Sequence, residues 1–143
     1  TNLTYLNLKS NNLSTVDVLS ACIALEDLNI SSNALTNIKK LSALTKVMYL
    51  DFSHNKVTEI PKFPKDCALV TINGSHNLIS SLEPLSGLKQ LNNVHMDYNT
   101  EISSIKPLIS CHMLIEVNVY ATKVTDVTPL TNQSVIVNYN PVH

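Results

Sequence analysis

Arginine and tryptophan are absent from this chain, and glycine occurs only twice. A nucleic-acid-binding surface needs a basic footprint and usually arginine to read the bases, whereas ten lysines here face eleven acidic residues. The composition therefore predicts no nucleic-acid partner. Two glycines leave no glycine-rich loop that would cradle a phosphate. Because no apolar run reaches the roughly 18 residues of a membrane-spanning helix, we expect no membrane insertion.

Leucine and asparagine are abundant instead, with 20 and 17 of the 143 residues. From each of six starts the chain reads apolar, two residues, apolar, one residue, apolar, two residues and then, in five of the six, asparagine. The starts, 22 residues apart except for a last step of 23, are Leu3, Leu25, Val47, Leu69, Leu91 and Leu114. A partial repeat follows over 132–143. We interpret residues 1–143 as one repeat domain and expect it to be a fragment of a larger protein.

Each repeat begins with a short strand, because its apolar-x-apolar step places two side chains on one face. The asparagine that follows can donate to and accept from backbone groups of the turn, which would otherwise be buried without partners. We therefore expect a ladder of structural asparagines inside the stack. Its members are Asn11, Asn33, Asn55, Asn77, Asn99 and Asn140, with Thr122 in the sixth repeat.

The second half of each repeat returns the chain to the next strand. Ile38, Leu41 and Leu44 lie three residues apart, a period that fits a short 3₁₀ turn. Proline fixes its own φ, so we expect short helical pieces to begin near Pro84, Pro107 and Pro129. The third repeat carries two prolines within 61–64 and is predicted to be extended there.

The return segments SSLEPLSGLKQL, SSIKPL and TDVTPLTNQ share an apolar-x-Pro-Leu core. With the strand pattern, they make the chain resemble the 22-residue leucine-rich repeats of internalin-type bacterial surface proteins over about residues 3–142. The resemblance implies an α/β fold of about seven repeats. This fold is a right-handed solenoid with a parallel sheet on the concave face and short 3₁₀ or helical turns, or extended segments, on the convex face.

The resemblance also implies a function. It indicates a non-catalytic protein–protein interaction module of a bacterial cell-surface or secreted protein, used in adhesion or receptor recognition through the concave sheet. We expect no cofactor and no metal. An intracellular regulatory scaffold with the same repeat type, located in the cytoplasm, and a structural spacer are the alternatives.

Candidate partner-binding residues are aromatic, acidic or histidine side chains at outward strand positions and in the turn that follows. Aromatic side chains often carry interface energy, and acidic ones favour a partner with a basic patch. The candidates are Tyr5, Asp27, Tyr49, Asp51, His95, Asp97, Tyr98, Glu116 and Tyr120.

A search for catalytic groups finds one weak arrangement. His95 and Asp97 lie on the outward face of the fifth strand, and Ser75 is predicted outward one strand away. A flat sheet offers neither an oxyanion hole nor a water-excluding pocket, so we expect no enzyme activity. His54 and His76 fall at the same place in adjacent repeats, but no carboxylate shares their row to complete a metal site.

The three cysteines are expected to be free thiols. A disulfide requires Cα atoms within roughly 7 Å. Cys22 and Cys67 are two repeats apart, which at the spacing between parallel strands is about 10 Å, and Cys111 is further along the stack. We therefore predict no disulfide between them.

Two departures from the repeat carry expectations about packing. Gly74 stands where a large apolar residue belongs, and Phe52 and Met96, at the same place in the repeats on either side, are expected to fill the gap. The first repeat has no coil before it, which predicts an exposed apolar end at Leu3, Leu6 and Leu8.

Overall fold

The computed structural model describes residues 2–140. This range forms one sheet of seven parallel strands whose order follows the sequence. The strands are β1 (Tyr5–Asn7), β2 (Asp27–Asn29), β3 (Tyr49–Asp51), β4 (Thr71–Asn73), β5 (Asn93–His95), β6 (Glu116–Val119) and β7 (Ile136–Tyr139). The predicted fold class, a leucine-rich-repeat solenoid, is confirmed. The predicted partial repeat supplies β7, while its last residues, 141–143, lie outside the described range.

Five of the six return segments between the described strands contain short helical turns, which lie on one side of the sheet. Four are 3₁₀ helices, at Asp17–Ala21, Lys39–Ala43, Glu83–Leu85 and Lys106–Ser110, and the last is a single α-helical turn, α1 (Thr128–Thr131). Each of the last three carries its proline at the first or second helical position, as predicted. Residues 52–70, all described, contain no helix, so the third return segment is extended as expected.

The core lies between the sheet and these turns. Leu28 and Leu50 pair across β2 and β3 and are at most 2% exposed. Ile38, Leu41 and Leu44 close the same coil from the opposite side and are each 1% exposed. Burial of apolar surface stabilises a fold by about 25 cal/mol per Å². In this solenoid that stabilisation comes from the single continuous core. The helical turns cover one face of the sheet only.

The buried asparagines connect successive coils. The side-chain NH₂ of Asn77 donates to Phe52 O in the preceding coil at 3.0 Å and to Gly74 O in its own coil at 3.0 Å. Its Oδ1 accepts from the backbone N–H of Val57 at 2.9 Å. Asn33, Asn55 and Asn99 make the equivalent bonds. Each amide thereby satisfies backbone groups of two coils at once.

The side-chain ladder weakens toward both ends. Asn11 is exposed, and its NH₂ donates only to Lys9 O, at 3.0 Å, because the described chain has no earlier coil. The Thr122 hydroxyl donates to Val119 O within its own coil, so the N–H of Ile102 turns to Asn99 O instead. Asn140, at the other end, accepts from the N–H of Ala121.

Gly74 is packed as expected. A Cβ built on it would lie 2.6 Å from Phe52 Cζ and 2.9 Å from Met96 Sδ, so these two side chains occupy the space of the missing one. Phe52 and Met96 are themselves fully buried.

The expectation for the first coil is only partly right. Leu3 is 43% exposed, but Leu6 and Leu8 are half-buried and pack against the core. Their side chains point inward toward the second coil, which covers them from one side.

We expect Asn77→Ala to destabilise the protein by about 3 kcal/mol, because it leaves Val57 N–H and Phe52 O buried without their partner. Asn11→Ala, the matched change at the exposed end, should cost less than about 0.5 kcal/mol. Urea unfolding of both variants measures the difference. Equal costs would show that the ladder amide adds nothing beyond a surface asparagine.

Gly74→Ala should destabilise by about 1–3 kcal/mol through overpacking against Phe52. Phe52→Leu alone opens a cavity and is also expected to destabilise. The double variant should then lose less than the sum of the two single changes. Additive losses in chemical denaturation would contradict direct packing of the two positions.

Candidate partner-binding surface

The uncovered face of the sheet presents two columns of side chains, set by the strand register. The outer column consists of Tyr5, Asp27, Tyr49, Thr71, Asn93, Glu116 and Ile136. The inner column consists of Asn7, Asn29, Asp51, Asn73, His95, Asn118 and Asn138. The register therefore brings the predicted residues Tyr5, Asp27 and Tyr49 side by side and places Asp51 next to them in the inner column.

Ser75 was expected at an outward position, but it is buried, as are the equivalent serines of the two preceding coils. Ser31, Ser53 and Ser75 are 3%, 7% and 9% exposed. These residues lie just beyond the strands, where the alternation of faces ends. The hydroxyl of Ser53 donates to Asp51 Oδ1 at 2.6 Å, and its N–H donates to the same oxygen at 2.9 Å. The serine thus fixes the orientation of the inner-column side chain.

The aromatic candidates lie at separate places on this face. Tyr5 and Tyr49 are 58% and 47% exposed in the outer column. Tyr120 is 45% exposed beyond β6, and its N–H donates to Asp97 Oδ1 at 2.8 Å. Tyr98 stands apart from the two columns, at the edge where the strands end.

At that edge three exposed rings form a stack. The ring centroids of His54 and His76 are 4.1 Å apart, and those of His76 and Tyr98 are 4.3 Å apart, with nearly parallel planes. All three residues have φ between 55° and 60°. The left-handed turn repeats in each coil and aligns the rings. In the described residues no group of three potential metal ligands occurs, here or elsewhere.

A shallow depression of about 310 Å³ lies at the centre of the face. Leu28 and Leu50, whose side chains belong to the core, form its floor. Its walls are Asp27, Asn29, Tyr49, Asp51, Thr71, Asn73 and His95. Four of the predicted residues, Asp27, Tyr49, Asp51 and His95, therefore share one concavity.

His95 and Glu116 belong to a hydrogen-bond chain that crosses three strands. Asn138 Nδ2 donates to Glu116 Oε1 at 2.8 Å and to Asn118 Oδ1 at 2.5 Å. Asn118 Nδ2 then lies 2.6 Å from His95 Nδ1. An ionised carboxylate only accepts hydrogen bonds, so Asn138 must present its Nδ2 to Glu116. The same Nδ2 donates to Asn118 Oδ1, which leaves Asn118 Nδ2 to donate to His95. His95 Nδ1 is thus the acceptor, and the neutral ring carries its proton on Nε2.

The arrangement considered for catalysis does not form. His95 Nδ1 is taken by Asn118, and Asp97 Oδ1 by the backbone of Tyr120. Ser75 is buried below the face, so its predicted outward position is wrong. The three groups therefore have no shared geometry for proton relay.

Opposite charges are distributed unevenly over the surface. Among the described residues, the ion pairs are Lys39–Glu59, Lys40–Asp17 and Lys123–Glu101, all away from the two columns. The carboxylates of the face have no lysine within 4.0 Å in this part of the chain. The pKa of Asp126 is lowered by hydrogen bonds from Thr128, also outside the face.

The cysteines are free thiols, as expected. Cys67 and Cys111 are buried, and that burial raises the pKa of both thiols. Cys111 Sγ also donates to Leu85 O at 3.1 Å. Neither thiol reaches the candidate surface. Every helix in residues 2–140 is too short to cross a bilayer.

Comparisons with known proteins agree with this geometry. A family model described as a leucine-rich repeat matches residues 1–20. Internalin C2 of Listeria monocytogenes is similar, with a TM-score of 0.89 and 29% identity over 98% of this chain and 62% of that one. The chain is a leucine-rich-repeat solenoid that is similar to internalins. The functional domain of InlJ from the same organism matches with a TM-score of 0.80 and 27% identity, over 99% and 31% of the two chains.

A leucine-rich-repeat protein of Leptospira interrogans, with a TM-score of 0.79 and 17% identity over 98% of this chain and 37% of that one, shares the fold. No curated protein sequence matches. This chain spans less than two thirds of the internalin C2 and InlJ chains it resembles. Solenoids of this kind are typically non-catalytic scaffolds whose extended concave surfaces serve protein–protein interaction.

Sequence reasoning missed two parts of the candidate surface. Asn118 and Asn138, which orient His95, were not among the candidates. The 22- and 23-residue spacing places Asn118 beside His95, but Asn138 requires β7 to be recognised as a full strand. Ser31 and Ser53, which hydrogen-bond to Asn29 and Asp51, were not recognised as orienting groups.

The hydrogen-bond chain predicts one tautomer for neutral His95. Long-range ¹H–¹⁵N NMR spectra of the imidazole should show Nε2 protonated and Nδ1 bare, while exposed His112 serves as an internal reference. In Asn118→Leu, the spectrum of His95 should move toward a mixture of both tautomers. Protonated Nδ1 in the neutral wild-type ring would contradict the assigned direction.

Proposed function

We propose that this chain is a non-catalytic protein-binding module that holds its partner on the concave sheet. The observation that carries the proposal is the bare face of a seven-stranded parallel sheet. Parallel sheets are normally covered on both faces, whereas here the helical turns cover one face and polar side chains and tyrosines line the other. A rigid wall of this kind recognises a partner by its shape and its fixed side chains.

Aromatic anchors support recognition of a protein rather than a small molecule. Tyr5 and Tyr49 lie near one end of the face and Tyr120 near the other, five strands apart from β1 to β6. At about 4.8 Å per strand, Tyr5 and the sixth coil are about 24 Å apart. A small molecule cannot contact tyrosines this far apart, whereas a protein partner can contact all of them, and exposed tyrosines are typical anchor residues of protein interfaces.

The absence of enzyme activity is part of the proposal. The depression is open and shallow, and His95 and Asp97 are bonded to groups other than each other. Acid–base and nucleophilic catalysis need partners within hydrogen-bond reach and donors aimed at the developing charge. The face offers recognition groups without that alignment.

The parent protein is proposed to be a larger bacterial cell-surface or secreted protein in which this domain serves adhesion or receptor recognition. Support comes from the resemblance to internalins of Listeria monocytogenes, which extend beyond the matched region. A cytoplasmic regulatory scaffold is the alternative. Locating the full-length protein by cell fractionation separates the two, since a wholly cytoplasmic protein would contradict the surface proposal.

For a partner recovered with the full-length protein, we expect Tyr49→Ala and Tyr120→Ala each to weaken binding about ten-fold or more, as truncation of an aromatic anchor does. Val18→Ala, at a residue 82% exposed on the convex turn, is the matched control and should leave Kd unchanged. Calorimetric titration gives the affinities. Unchanged binding by both tyrosine variants, with loss in Val18→Ala, would move the interface to the convex side.

A further inference from the structure

The central depression contains two carboxylates and Tyr49, and Tyr5 lies in the neighbouring strand outside the depression. The register sets Tyr5 opposite Asp27 and Asp27 opposite Tyr49, so the aspartate lies between two rings in the outer column. Neighbouring strands are about 4.8 Å apart. Asp51 follows in the inner column, on the same strand as Tyr49. Both aspartates and Tyr49 line the depression.

The two carboxylates are differently held. Asp51 uses Oδ1 to accept from the N–H and hydroxyl of Ser53, which fixes the side chain and leaves Oδ2 for another donor. The Asp27 side chain has no hydrogen bond to a described residue, so it can rotate toward a bound group. One carboxylate is therefore preorganised and the other adjustable.

No cation of the described chain neutralises this concavity. Its walls contain no lysine, and the ion-paired lysines Lys39, Lys40 and Lys123 lie elsewhere. Concave surfaces with one sign of charge and low-dielectric walls focus the electrostatic potential. Asp27 and Asp51 are half-buried above Leu28 and Leu50, so their charges are less screened than fully exposed ones.

We propose that this depression receives one basic side chain of the protein partner, arginine in preference to lysine. The inference rests on the proposed function and names the chemistry of the partner at its centre. A guanidinium offers donors in a planar fork that reaches both carboxylates while its face stacks on Tyr49. A lysine ammonium can pair with the carboxylates but lacks the planar stacking surface.

A divalent cation fits less well. Calcium takes six to eight oxygen ligands, and the described residues hold no group of three acidic, histidine or cysteine side chains that would surround a metal. The two carboxylates come from different columns and different strands. A planar cation with several N–H donors can bridge carboxylates on two neighbouring strands without the full oxygen shell that calcium needs.

The chain itself supplies conservative variants for the test. Asparagine occupies the position of Asp51 in the coils on either side. The Oδ1 atoms of Asn29 and Asn73 accept from the backbone N–H groups of Ser31 and Ser75, as Asp51 Oδ1 accepts from the N–H of Ser53. Asp51→Asn therefore keeps the local hydrogen bond and removes the charge. Asp27→Asn makes the equivalent change in the outer column. Asp66→Asn with Glu83→Gln, at two exposed residues outside the depression and the two columns, serves as a control of equal charge.

The probe is the peptide acetyl-Gly-Arg-Gly-amide, added to the ¹⁵N-labelled chain and followed by amide chemical shifts. We expect saturable shifts at Asp27, Tyr49 and Asp51, weaker ones with the lysine peptide and none with the neutral citrulline peptide. The double variant Asp27→Asn, Asp51→Asn should weaken binding about ten-fold, and the control pair by less than about two-fold. Equal shifts with citrulline, or equal losses in the control pair, would overturn the proposal.

Calcium chloride alone is the second probe. Saturable shifts at the same residues at low millimolar calcium would indicate that the depression is a metal-ion site and would contradict the proposed basic side chain. Different results would contradict the basic-side-chain inference and the proposed binding function on which it rests. If Tyr49→Ala weakens the protein partner but the asparagine variants do not, the partner binds this face without a basic side chain in the depression. If neither tyrosine variant affects the partner, the choice of face itself is wrong.

Discussion

The structure depends on the bond that a buried asparagine amide makes between one coil and the coil before it. A carboxamide both donates and accepts, so Asn55, Asn77 and Asn99 each satisfy backbone groups that a turn of this tightness leaves without partners. Without these bonds the coils would bury unpaired N–H and C=O groups at every step. The apolar core supplies most of the stabilisation, but the amides fix how one coil lies on the next.

That constraint carries through to the recognition surface. Once the coils are in register, the strands align and the outward side chains fall into columns. Serines directly beyond the strands then hold Asn29 and Asp51 in place, and the chain from Glu116 to His95 orients the far side. The face is therefore preorganised, which reduces the entropy lost when a partner binds.

Much of the fold was predictable from the sequence because the same residue spacing occurs in each of the repeats. The strands, the return turns at prolines and the packing around Gly74 follow from spacing alone. The wrong predictions concern residues just after the strands, where the backbone no longer follows the alternation of a strand. Ser75 was placed outward by continuing the two-residue alternation past the strand end, but it is only 9% exposed. Tyr98 lies in a left-handed turn that no alternation describes, and the orientation of His95 depends on the seventh strand.

The most direct measurement of coil-to-coil locking is native-state amide hydrogen exchange at the residues whose N–H groups bond the ladder amides. Leu35, Val57 and Ile79 donate to asparagine oxygens of the next coil. These amides should exchange only through opening of the central coils, with protection close to that of global unfolding and falling toward both ends of the stack. Exchange at Val57 and Ile79 as fast as at exposed turn amides would contradict the ladder as the element that holds the solenoid together.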